Sequence, residues 1–493
     1  WKGKHRENIT QVIAAKLSAQ KHKLEMRLLD DHEVLNGTED GSLKEIDMKA
    51  SAGWPWVKRK PSSIVGKMNI FENTSPDGEK KNWIWKENEQ AKEARERMNH
   101  LENEFKQGKN AFWLAYSNIK DELRSFKKIA EANSRSFDCV PIEVTLLFRK
   151  YFGMFIAQTH LNCADMPISV GIDPLTQWTR LAERLLSKGD AMIAGDYKNW
   201  DGSVSAEELY DATADINAFY NDSIENQNVR HLLVYGATHM WLAVGDTIVR
   251  KHQGLPSGIP LTAVLNSLIN WRRLACCIQE IYQDETGTNL TVDELYNDID
   301  MLLYGDDHVV AMSENIRQHV NFMKVKAKFA EHKVTYTDSR KLGNDFEFEK
   351  LSETTYLKRT FVRYNQIKFI GPLDITSVLK SANWLHENKR VSKFDMLACV
   401  KNSLQDELAL HGRAVYNDCV KRYNAAIERE KVFYPTPETD PRIICSFDNV
   451  EERIRERLGL EHFGAKTRNP VENPLSFIFR ETTIPPAAML SVR

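Results

Sequence analysis

Several features are missing from this chain of 493 residues, and each absence excludes a class of protein. No apolar stretch approaches the ~20 residues that cross a bilayer. The seven cysteines are an odd number and include no Cys-x-x-Cys pair. That leaves neither a disulfide framework nor a structural zinc site, and it suits a reducing compartment. Adjacent Cys276 and Cys277 lie in an apolar helical stretch and read as core. Neither sign of charge dominates, the net being −2. This argues against a simple nucleic-acid coating protein, but not against an enzyme with a basic channel and an acidic exterior. Internal repeats and low-complexity linkers are absent too. The N-terminus, Trp1-Lys2-Gly3-Lys4-His5-Arg6, has no initiator Met and no apolar signal core, as expected either of a trimmed chain or of a fragment cut from a longer precursor.

What remains is a large chain with room for more than one lobe. Basic clusters run from Lys2 to Arg27, over Lys58-Arg59-Lys60 and from Lys120 to Arg135. Residues 1–30 mix Lys and Arg with Ile and Leu at helical spacing, which predicts a docked helix. Glu87 to Glu104 is charge-dense and of mixed sign, which predicts a solvated helix. Ser205-Ala206-Glu207-Glu208 has the form of a capping box and should open a helix reaching about Tyr220. Pro260 suits a first helical residue, with an apolar helix following to about Tyr282. Another helix is expected from about Glu314 to Glu331. Tyr356–Phe361 and Ile367–Ile370 read as a hairpin, and the chain after Pro372 reads as mainly helical. Strands and helices mix without βαβ alternation, so the fold class is α+β.

Tyr304-Gly305-Asp306-Asp307 lies between the apolar runs Met301-Leu302-Leu303 and Val309-Val310-Ala311-Met312. The pattern is strand, tight turn, strand. Two adjacent carboxylates at such a tip suit a divalent cation, although the tetrapeptide alone fits a surface hairpin equally well. Asp196 ends a short apolar strand, and Asp201 follows five residues later. An isolated Asp there is more often a cap or turn residue. Thr262 and Asn266 share a face of an otherwise apolar helix, just after Ser257. They suit either sugar recognition or helix–helix hydrogen bonding.

Taken in order, these residues resemble the palm of a viral RNA-dependent RNA polymerase of the picornavirus-like group (picornaviruses, dicistroviruses, iflaviruses). The series is Asp196-x4-Asp201, Ser257-Gly258-x3-Thr262-x3-Asn266 and Tyr304-Gly305-Asp306-Asp307. The likeness extends to Ser51-Ala52-Gly53-Trp54-Pro55-Trp56, similar to that group's template-entry motif. Lys120-Asp121-Glu122-Leu123-Arg124 with Lys128 and Arg135 resembles its basic motif over the nucleotide channel. Val170-Gly171-x-Asp173-Pro174 and Tyr356-Leu357-Lys358-Arg359 also match, the latter resembling the primer grip. Departures include Lys198-Asn199 between the two acids and Ile259-Pro260-Leu261 in the loop before Thr262. Tryptophan at Trp54, Trp56 and Trp200 suggests an insect-infecting branch.

The resemblance implies a closed right-hand fold with fingers, palm and helical thumb. It implies fingers over residues 1–187 and 223–252, palm over 188–222 and 253–371, and thumb over 372–493. It further implies template-directed nucleotidyl transfer, with two Mg2+ ions (Mn2+ able to substitute) on Asp196, Asp306 and Asp307. Lys120, Arg124, Lys128 and Arg135 would meet the triphosphate. Asp201, Ser257, Thr262 and Asn266 would read the ribose. Lys341 is the candidate general acid, with Arg340 as competitor. Ser51, Ala52, Gly53, Trp54, Lys358 and Arg359 would contact RNA, and Trp56 could stack on the entering strand. Implied partners are template and product RNA, NTPs, a genome-linked protein primer and other viral replication proteins. The implied setting is membrane-associated replication complexes in the host cytoplasm, after release from a polyprotein. A reverse transcriptase and an inactive RNA-binding relative are the rival readings.

Overall fold

A computed structural model of the protein describes residues 1–459 other than 2, 123, 125, 341, 342, 344, 345, 365, 367, 384–391 and 430–442. Lys341, the predicted general acid, lies outside the described residues. The chain forms two compact units, one of residues 1–171 with 195–348, the other of 172–194 with the chain from 349 onward.

Two apolar helices form the core of the first unit. Ile142–Leu161 buries Phe148, Phe152 and Phe155, and Thr262–Thr286 is buried through most of its length. The second carries buried polar groups as well, among them Asn266, Asn270, Arg272 and Arg273. One four-stranded sheet has the order Tyr336–Asp338, Met192–Tyr197, Asp307–Met312, Ile299–Tyr304. The last two strands form the predicted hairpin, with Leu302 opposite Val309 and Tyr304 opposite Asp307. A second sheet orders Ser136–Cys139, Leu114–Ile119, Trp241–Val244 and Thr247–Arg250, its middle pair parallel.

The predicted N-terminal helix spans Gly3–Ser18 and buries Ile9, Val12, Ile13 and Leu17. Arg6 donates to Asp211 at 2.8 Å, and Arg272 reaches Thr10 Oγ1 at 3.0 Å, so the helix is docked. The capping box at Ser205 forms as expected and opens the helix Ala206–Tyr220.

Three expectations are corrected. The charge-dense helix, Glu89–Lys106, is not solvated all round. It buries Ala91, Ala94, Met98, Leu101 and Phe105, because its few apolar residues recur at three- and four-residue spacing. Pro260 does not open the long helix. Thr262 does, its Oγ1 donating to Pro256 O and Ile259 O at 2.9 Å each and tying the loop to the first turn. That helix also runs on to Thr286, where Gly287 takes the left-handed φ that ends it. The single helix expected over 314–331 is two, Glu314–Arg317 and Phe322–Glu331. Asn321 divides them by capping the second with its side chain, a bond that competes with helix continuation.

In the second unit, the hairpin expected around Tyr356 resolves into two short ones. Thr355–Tyr356 pairs with Arg359–Thr360, and Val362–Arg363 with Phe369–Ile370. Leu357 and Lys358 both take left-handed φ, as a two-residue turn of this type demands. The helices Lys393–Ala409, Arg413–Arg429 and Phe447–Arg457 pack around Leu404, Leu408, Tyr416, Val450 and Ile454.

Candidate active site

Strand pairing brings the acids together. Asp196 lies opposite Thr337, between Gly195 and Tyr197, and its strand neighbours Asp307–Met312 on the other side. Alternation along a strand sends Asp196 to one face and its two neighbours to the other. The hairpin turn is Gly305-Asp306, with left-handed φ at Gly305 (+65°).

Electrostatics report the convergence. Burial pushes the Asp306 carboxyl up, and the negative charges of Asp201 and Asp196 push the same way against Arg135. Asp201 is also raised, first by surrounding protein mass, then by Asp138. Arg135, Lys251 and Lys120 oppose this. Asp306, Asp201 and Asp196 therefore share one field with Arg135 and Lys120. Asp307 follows Asp306 at the solvent-exposed end of the same turn. Lys128 stands exposed on the short helix Phe126–Ala130, and Arg124 is ion-paired with Glu122 at 3.2 Å.

Among the described residues, no group of three or more His, Cys, Asp or Glu is placed to hold a metal ion by itself. The acids suit a hard cation that keeps water and phosphate ligands, because positive charge relieves a carboxyl raised by burial and by neighbouring carboxylates, as Asp306 is. The donor set is all oxygen, which suits Mg2+ or Mn2+.

In the set expected to read the ribose, Asn266 is buried and its Oδ1 has no hydrogen-bond partner among the described residues. A buried acceptor left in this state suits a hydroxyl donor. Thr262 is committed to its own loop, as described above. Ser257 is exposed in that loop. Gly258 lies so close to the strand Ser136–Cys139 that a Cβ there would sit 1.9 Å from Asp138 O. Lys251 pairs with Asp138 at 3.1 Å.

The template-entry motif divides. Trp56 is 1% exposed and donates its Nε1 proton to Glu143 Oε2 at 2.7 Å, so it is core and does not stack on an entering strand. Ala52 and Gly53 are buried as well. Ala52 O accepts from Ile142 N, and Gly53, at φ +71°, lies against Val140 O. Ser51 and Trp54 retain exposed surface. In the second unit, Lys358 is exposed at its turn. Arg359 is instead held by Glu407 (Nη1–Oε2 3.0 Å) and by Gly371 O at 2.6 Å.

Five residues around the hairpin escaped the sequence reading. Gly305 N donates to Ser267 Oγ at 2.8 Å. Asn270 Nδ2 donates to Gly305 O and Asp306 O at 3.0 and 3.1 Å, and its Oδ1 accepts from Tyr197 OH at 3.0 Å. His308 bridges Asp306 O and Tyr336 OH. Burial lowers its pKa to about 4. A usable signal existed. Asn270 extends the Thr262, Asn266 series by another four residues in an apolar helix.

Residues 19–428 match a family model described as viral RNA-dependent RNA polymerase. The genome polyprotein of Rice tungro spherical virus (strain A) is 30% identical over 463 residues, 91% of this chain and 13% of that protein. The replicase polyprotein of Acute bee paralysis virus (strain Rothamsted) is 26% identical over 427 residues, 84% of this chain and 21% of that protein. The chain thus spans about a fifth or less of these relatives, which are polyproteins. A rice virus stands above a bee virus in identity, so these matches carry no preference for an insect host. Among solved structures, a Sicinivirus 3Dpol RNA dependent RNA polymerase superposes with a TM-score of 0.73 at 18% identity. The match covers 93% of this chain and 86% of that one, a likeness of fold.

Proposed function

The chain belongs to the viral RNA-dependent RNA polymerases, and from that premise we propose that it performs nucleotidyl transfer at the Asp306 hairpin. The 3′-oxygen of the growing RNA attacks the α-phosphorus of an NTP, the α–β phosphoanhydride bond breaks, and pyrophosphate leaves. The observation that carries the reading is the shared field of Asp306, Asp201 and Asp196, crossed by Arg135 and Lys120. A site for a triphosphate and its counter-cations needs both signs of charge within reach of each other.

In this reading Asp196, Asp306 and Asp307 hold two divalent cations, which would stabilise charge on the attacking and leaving oxygens. Arg135 and Lys120 orient and neutralise the triphosphate, with Lys128 and Arg124 behind them. Lys341 is kept as the candidate proton donor to pyrophosphate. Asn266, with Asp201, Ser257 and Thr262, reads the ribose. A 2′-hydroxyl satisfies the buried Oδ1, and a deoxy sugar leaves it without a donor. Ser51, Trp54 and Lys358 meet RNA directly, whereas Ala52, Gly53 and Arg359 shape the segments that do. Fingers, palm and thumb follow the boundaries drawn from the sequence. A genome-linked peptide primer and replication complexes on host cytoplasmic membranes are carried over from the family.

Primer extension on a defined RNA template, with Mg2+ and each NTP omitted in turn, tests this. Extension should stop at the position of each omitted NTP and require the metal. Asp306→Asn should bind RNA as the parent does and synthesise nothing. Equal synthesis by that variant, or incorporation of dNTPs in preference to rNTPs, overturns the assignment.

A further inference from the structure

The buried side of the hairpin carries a second set of groups that never faces substrate. Tyr336 and His308 are each 2% exposed, and their rings stack at an interplanar angle of 18°. His308 Nδ1 is 2.8 Å from Asp306 O, and Nε2 is 2.7 Å from Tyr336 OH. A carbonyl oxygen only accepts, so Nδ1 carries the proton. Burial favours the neutral ring, so Nε2 accepts and the Tyr336 hydroxyl donates. Every role in this relay is thereby set.

The other end of the relay reaches Gly195, the residue before Asp196. Tyr336 lies across Gly195, where an added Cβ would be 2.0 Å from Tyr336 Cζ. Only the missing side chain at Gly195 admits the ring. On the far side of Asp196, Tyr197 donates to Asn270, which donates to Gly305 O and Asp306 O. The backbone of Asp196 is thus flanked by two residues, Gly195 and Tyr197. Gly195 touches the phenol of Tyr336, which His308 links to Asp306 O, and Tyr197 is itself a phenol, which Asn270 links to the same carbonyl.

Resting on the proposed reading of the hairpin as a metal-dependent site, we infer that Tyr336 and His308, with Tyr197 and Asn270, are positioning residues. They set the separation of Asp196 from Asp306 across the two strands. Ordinary core packing would leave that separation to the backbone ladder alone. Here the turn, which has the fewest ladder bonds, is held from behind by two side-chain routes whose rings pack on one another. Carboxylates that bind a cation through oxygen need their spacing held closely, so slack at the turn weakens the metal before it weakens the fold.

Tyr336→Phe removes one oxygen and keeps the ring. His308 then either leaves Nε2 without a donor or switches tautomer and turns a bare Nδ1 toward Asp306 O. The test uses the full chain and titrates Mn2+, followed by the loss of the free-ion paramagnetic resonance signal. Single-nucleotide addition and thermal unfolding are measured alongside. Tyr151→Phe, which removes a buried hydroxyl bonded to Glu102 at 2.6 Å, is the control. The half-saturating Mn2+ concentration should rise about fivefold in Tyr336→Phe. The kcat should fall and the KM for NTP stay within about twofold. Tyr151→Phe should lose thermal stability with Mn2+ binding unchanged. If Tyr336→Phe does not fold, His308→Asn, too short to reach Tyr336, is measured in its place with the same expectation. Equal Mn2+ affinity and equal kcat in the parent and the folded variant overturn the inference. An Asp306→Asn chain that binds Mn2+ as the parent does overturns the reading of the hairpin itself, and this inference with it.

Discussion

Replacing Trp56 by Phe separates a core residue from an RNA-stacking one. The indole is buried and donates to Glu143, whose carboxylate is fully enclosed and also meets Arg97 Nε at 3.1 Å. Phenylalanine keeps most of the packing and loses the N–H. A hydrogen bond to a charged buried group contributes roughly 1.5–3 kcal/mol. The smaller ring adds about 1 kcal/mol for incomplete filling. The expected loss is about 3 kcal/mol. The sign of its pH dependence follows from Glu143. Burial raises that carboxyl above its ordinary value, while backbone hydrogen bonding and the Trp56 bond pull it down. Removing the indole proton raises it further. A group whose folded pKa is raised contributes stability below the unfolded value and loses it as pH rises through the folded one. The penalty of Trp56→Phe should therefore be smaller near pH 4 than at pH 8. Urea unfolding at the two pH values measures it, and fluorescence anisotropy with a labelled single strand measures RNA affinity. Unfolding should shift and RNA affinity should not. Unchanged unfolding with weakened RNA binding would refute the core assignment and restore the stacking role.

Asn266→Ala should lower the preference for rNTP over dNTP about tenfold, the value of one hydrogen bond. The ratio of kcat/KM for the two substrates measures it, and an unchanged ratio removes Asn266 from ribose reading. Lys358→Ala should weaken RNA binding and reduce the slope of log affinity against log salt by about 1; an unaltered slope means that Lys358 meets no phosphate. Glu407→Gln should destabilise the second unit by about 2 kcal/mol through loss of a charge-assisted pair with Arg359. Faster proteolysis of that unit measures it, and resistance equal to the parent refutes it.

The residues legible from the sequence share a property: each is specified by its near neighbours. Gly305-Asp306 turns because glycine accepts a left-handed φ between β-prone runs. Ser205 caps because Glu208 lies three residues on. The order of motifs along the chain was enough to name the family. What was not legible lay where a local pattern meets a tertiary partner. Trp56 could stack or pack from the sequence alone, and Glu143, far along the chain, decides for packing. That Glu407 holds Arg359 is likewise seen only in the structure.

Tertiary structure alone decided how the carboxylates stand to one another and what holds them there. The sequence by itself determined the hairpin, the helix caps, the chemistry of the acids and the family, since short-range turn geometry and residue type carry those. It could not determine that Tyr336 crosses Gly195 or that the His308 ring faces the carbonyl of Asp306. Those contacts depend on strand register. A shift of one residue would turn Tyr336 to the opposite face and leave every local pattern as it was.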